Sequence, residues 1–102
     1  MIKPRQVWTF KENNNGNKYV YIRGFCPISG DEFVHVAVLN EDLKVVLEHA
    51  PFARPAVESS ISKLIREDFN LDLPEEGFEI WRREHVNGSA GYYSVSIADV
   101  VL

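Results

Sequence analysis

The feature that most constrains the fold is the run of residues 33–73, where an apolar strand, a polar turn, a second strand and a helical stripe follow one another. Residues 32–39 carry apolar side chains on both faces, interrupted only by His35, as in a central strand covered on both sides. Asn40, Glu41 and Asp42 supply a turn, and residues 44–48 return as a short strand. Val57, Ile61, Leu64, Ile65 and Phe69 then recur at helical spacing, with Glu58, Ser62, Lys63, Arg66 and Glu67 largely outside the stripe. Pro55 suits the first turn of that helix, and Asn70 tolerates the left-handed conformation that would end it.

Upstream, residues 6–11 read as a first strand, residues 13–17 as an Asn/Gly turn, and residues 18–26 as a half-buried strand stopped by Pro27. Downstream, residues 78–85 and 92–97 read as a hairpin reversed around Asn87-Gly88. The resulting order, β-β-β-β-α-β-β, predicts one domain over residues 1–102. Its class is α+β, a largely antiparallel sheet of about five to six strands packed on one main helix.

The chain has 102 residues, 45% of them apolar, which is enough for a single core. A net charge of −4 weighs against a duplex-DNA binder, which must neutralise several phosphates. No apolar run approaches the roughly 20 residues that cross a bilayer, and the first residues lack the apolar stretch of a signal peptide. Cys26 is the only cysteine, so neither an internal disulfide nor a cysteine-rich zinc site can form. These features predict a soluble, cytoplasmic chain with no membrane contact.

Alternation places Trp8, Phe10, Val20, Ile22, Val34, Val36, Val38, Val95 and Ile97 beneath the helix. It leaves Tyr19, Tyr21, Arg23, His35, Trp81, Arg83, His85 and Tyr92 on the opposite face. Two readings of that face stand side by side. Aromatic rings mixed with guanidiniums have the composition of an interaction hot spot. The same rings also form a second small core if the sheet curls, with the arginines reaching out to water. Stacking of single-stranded bases on Tyr19, Tyr21 and Trp81 is chemically conceivable, but the spacing matches no RNA-reading signature and the chain is acidic.

Catalytic and metal chemistry have little purchase. The pairs Asp31-Glu32, Glu41-Asp42, Glu67-Asp68 and Glu75-Glu76 sit in turns or on helix surface, and within the expected helix no histidine or carboxylate pair stands at the i, i+4 spacing of metal ligands. The serines lie in no nucleophile elbow, and a lone Cys26 at a strand end reads as a packed side chain. No residue stands out as catalytic or as a metal ligand, and no cofactor is expected.

The strand, turn and strand over residues 36–47, followed by a helix ending Arg66-Glu67-Asp68-Phe69-Asn70-Leu71, resembles part of a Nudix hydrolase, whose helix ends in paired acids, a glycine and an apolar residue. The resemblance covers less than half the chain. Asn70 stands where that glycine would be, and the family's early glutamate and its helical Arg-Glu pair have no counterparts. A diphosphate-bridging Mg²⁺ would lack oxygen ligands, so the resemblance implies shared strand-helix grammar and no activity.

The sequence therefore predicts a small non-enzymatic interaction or regulatory domain. It would bind a protein partner or a second copy of itself through the aromatic and basic sheet face or a sheet edge. The alternative is a small-molecule or phosphate-ligand domain, or a minor hydrolase, using His49 and Arg54 in a loop beside the helix start.

Overall fold

The computed structural model describes residues 2–10, 18–28, 31–73, 92–95 and 97; at 26–28 and 31–32 only the backbone is described. The elements are β1 (Val7–Phe10), β2 (Lys18–Ile28), β3 (Asp31–Asn40), β4 (Val45–Ala53), α1 (Arg54–Ser60) and β5 (Ile61–Arg66). Among the described residues the strands form one antiparallel five-stranded sheet in the order β4-β3-β2-β1-β5, accompanied by α1, an α+β fold.

β3 lies between β2 and β4, and its described side chains from Phe33 to Leu39 are all buried, which accounts for their continuous apolar run. At its end Asn40 Oδ1 accepts hydrogen bonds from the Asp42 and Lys44 amides at 2.9 and 3.0 Å. That side-chain turn holds Leu43 at a φ of 62°, a costly conformation for a branched residue that the surrounding bonds enforce. β2 runs past the expected stop: Pro27 pairs with Glu32 inside the strand. β1 pairs with β2 around Val20 and Tyr21, well before Pro27, so a residue without an N–H is tolerated there.

The largest departure is the helix. α1 ends at Ser60, and Ile61–Arg66 is an extended strand, not the continuation of an amphipathic helix. Ser59 and Ser60 both turn their hydroxyls back onto the Ala56 carbonyl, at 3.2 and 2.6 Å, and Ile61 is already extended (φ −72°, ψ 153°). The segment then pairs with β1, Leu64 opposite Trp8 and Ile61 opposite Phe10, and Thr9 Oγ1 accepts from the Lys63 amide at 2.9 Å. Ladder formation along β1 outweighs a helical pattern whose two isoleucines also favour strand. Glu67 and Asp68 consequently follow a strand, which removes the helix on which the Nudix resemblance depends.

Two clusters bury the sheet. On one face Phe10, Val20, Ile22, Val34, Val36, Ala50 and Phe52 meet Ala56 and Val57 of α1 and Ile97, with Trp8, Phe25, Leu47 and Ile61 at the margin. Each fully buried aliphatic side chain contributes about 1.5–3 kcal/mol relative to exposure. The opposite face has its own smaller cluster, Val7, Tyr21, Ala37 and Leu39, roofed by Phe69, Leu71 and Leu73 with Tyr19, Leu43 and Val45 alongside. Val95, expected beneath the helix, is instead 49% exposed. The expected strand 78–85 lies outside the described residues. Of residues 92–97, Tyr93 makes an isolated parallel bridge to Phe52.

Candidate functional site

The polar chemistry within the sheet concentrates where its regularity breaks. β2 carries one extra residue, Arg23, between the Ile22–Val36 and Gly24–His35 pairs. β4 carries one between the Leu47–Val38 and Ala50–Val36 pairs, at Glu48-His49. Bulges of this kind re-aim side chains and often adjoin functional sites. Here they let Arg23 Nη1 donate to the Glu48 carbonyl at 2.8 Å and bring His49 Nε2 to 2.6 Å from His35 Nδ1. The ring centroids are 4.9 Å apart and the planes 16° from parallel, the spacing of two imidazoles laid end to end along one N–H···N bond. His35 is fully buried. Burial, and then the positive charge of Arg23, hold the His49 pKa below the ordinary histidine value of 6.5.

Of the residues expected on an open aromatic and basic face, Tyr21 and His35 are buried. Tyr21 is 5% exposed, its hydroxyl donating to the Phe69 carbonyl at 3.2 Å, and burial raises its pKa above 10.0 against the opposing charges of Arg5 and Arg23. Tyr19 is half-buried in the same cluster, and His35 lies in the interior. The reason is the roof: Phe69, Leu71 and Leu73, assigned by the sequence to a helix end and the stretch after it, cross this face and close it. Trp81, Arg83 and His85 lie outside the described residues. Tyr92 is 50% exposed, its ring tilted on Phe33 at a centroid distance of 4.5 Å.

His49 and Arg54 do not share a ligand loop. Residues 49–53 are the end of β4, with Ala50, Pro51, Phe52 and Ala53 paired to β3. The strand separates the two candidates: His49 meets His35 on one face, whereas Arg54 lies 5.1 Å over the Phe25 ring, against the helix-side core, and pairs with Glu58 at 3.4 Å.

Gln6 is a polar residue whose part the sequence did not disclose. It is buried, accepts from the Lys3 amide (2.7 Å) and Trp8 Nε1 (3.0 Å), and donates to Glu67 Oε1 (3.3 Å). With Lys3, Pro4, Glu67 and Asp68 it lines an open pocket of about 110 Å³, small against the roughly 300–1,000 Å³ of ordinary ligand sites. Among the described residues no three His, Cys, Asp or Glu side chains gather to hold a metal ion, and no helix is long and apolar enough to cross a membrane.

The second concentration of unusual chemistry lies on the side of β4 away from β3. The Ala53 amide donates to the Tyr93 carbonyl at 2.8 Å and the Tyr93 amide to the Pro51 carbonyl at 2.9 Å, fixing the backbone of that segment. Tyr93 packs on Phe52 (centroids 5.3 Å apart) and Tyr92 on Phe33. Phe52 and Phe33 belong to opposite faces of the sheet, so the two tyrosines straddle its edge. Tyr92, Tyr93 and Val95 remain 50%, 43% and 49% exposed.

Comparison of the chain with protein-family models, curated proteins and solved structures returns no match. The functional reading therefore rests on these two sites.

Proposed function

We propose that the chain is a small non-enzymatic interaction domain that binds a protein partner, or a second copy of itself, through the sheet edge capped by Tyr92, Tyr93 and Val95. One observation carries the reading: two adjacent tyrosines straddle the edge, with the Tyr93 backbone already bonded to β4, yet about half of each remains exposed. Tyrosine is favoured at binding hot spots because it adds a large amphipathic contact for the loss of few rotamers, and a fixed backbone lowers the ordering cost further. This site replaces the Tyr19–Tyr21 face, which Phe69, Leu71 and Leu73 occupy.

Immobilised chain exposed to extract from its native host tests the proposal, with Val95→Glu as the comparison, because Val95 is exposed and its loss spares the core. Capture that depends on Val95 and responds weakly to salt supports a protein interface. Capture that falls steeply as salt rises identifies a nucleic-acid partner and contradicts it.

A further inference from the structure

We propose that His35 and His49 form an acid-opened latch between β3 and β4, independent of the identity of any partner. The number of protons the pair can hold decides its response to acid. Two imidazoles have four ring nitrogens, and Nδ1 of His35 and Nε2 of His49, 2.6 Å apart, have room for one hydrogen between them. The closed pair therefore holds at most three protons and a single positive charge. Separated rings hold four protons and two charges. Falling pH must favour separation, since the open form binds more protons than the closed one.

The surroundings sharpen the effect. Among the described residues, the titratable and charged groups on this side of the sheet include Tyr19, Tyr21 and Arg23 of β2, Arg5 near Tyr21, and Tyr92 beside Phe33; Glu48, next to His49 on β4, has its side chain exposed. Arg23 brings a fixed positive charge toward the pair, so even the first added proton is resisted in the closed form. The latch also sits at a break in the β4 ladder. The Glu48-His49 bulge interrupts the ladder, and Arg23 donating to the Glu48 carbonyl is the bond that spans β3 to hold it. β4 in turn carries Pro51 and Ala53, whose backbone groups anchor Tyr93, so release at His49 loosens the support of the capped edge.

The test uses the intact chain with ¹⁵N-labelled histidine. From about pH 8 to about pH 5, the range in which imidazoles titrate, two quantities are followed. One is the nitrogen–nitrogen coupling across the His35–His49 bond. The other is the opening equilibrium of the amides of residues 45–50, measured by hydrogen exchange and corrected for intrinsic rates. The expected result is a coupling present at neutral pH and lost in acid. Opening of residues 45–50 should increase by about tenfold per pH unit for each proton taken up, over one to two protons. In His49→Gln, which keeps a hydrogen-bonding side chain, that increase should shrink by at least half on the logarithmic scale. The coupling needs no variant, so the proposal stays testable if His49→Gln fails to fold. A coupling that persists to about pH 5, a coupling lost while exchange of β4 stays flat, or an unchanged acid dependence in His49→Gln each overturns it.

Discussion

The Tyr21 hydroxyl donates to the Phe69 carbonyl at 3.2 Å, and the two rings meet edge to face with centroids 6.2 Å apart. This contact ties the chain leaving β5 across the sheet and turns an expected binding face into a second core. It also makes the fold sensitive to alkali. Burial raises the Tyr21 pKa above its unfolded value of 10.0, so the stabilisation is complete below pH 10 and is lost as pH rises through the folded pKa. Thermal melts should show stability falling above about pH 10, and Tyr21→Phe should flatten that decline at a cost of about 1 kcal/mol at neutral pH. An unchanged alkaline limb in Tyr21→Phe would place the titration elsewhere.

Ser60 is the pivot between helix, strand and the distant Ile97. Its hydroxyl donates to the Ala56 carbonyl at 2.6 Å and accepts from the Ile97 amide at 3.1 Å, both buried. Ser60→Ala leaves that amide unsatisfied and should cost about 1–3 kcal/mol in chemical denaturation, whereas Ser59→Ala, at an exposed position, should cost little. Equal costs for the two variants would show that Ile97 is not held by this hydroxyl.

The extended state of Ile61–Arg66 has a direct spectroscopic readout. Cα and Cβ shifts of residues 61–66 should deviate toward strand values, with nuclear Overhauser contacts from Leu64 to Trp8 and from Ile61 to Phe10. Helical shifts running from Val57 through Phe69 would restore the single amphipathic helix and remove β5 from the sheet.

Much of the architecture was legible because alternation and turn chemistry are local. Residues 32–39 showed a doubly covered strand, and Asn40 marked the turn with the side chain that builds it. The division of Val20, Ile22, Val34 and Val36 from Tyr19 and Tyr21 follows from period two alone. The helical stripe misled because Val57, Ile61, Leu64, Ile65 and Phe69 satisfy helical spacing while serving three different environments. Val57 and Ile61 face the main core, Ile65 is partly exposed, and Phe69 roofs the opposite face. Only the need of β1 for a second neighbour decides between the two states, and that is a long-range fact. The histidine pair did leave a trace. A turn that sets Leu39 opposite Val45 places His35 and His49 equally far from its centre, hence near one another on a single face. The two extra residues of β4 shift the formal partner of His35 to Pro51, yet the rings still meet.

The central claim is that the capped edge binds protein, and sedimentation of the chain over a wide concentration range tests it most directly, alone and with any captured protein, against Val95→Glu and Tyr92→Ser. The account predicts association by the parent chain. Loss of a hot spot of about 2 kcal/mol should weaken it roughly thirtyfold in each variant, with melting temperatures within a few degrees of the parent. A parent chain that stays monomeric and captures nothing, or association of full strength in both variants, would contradict it.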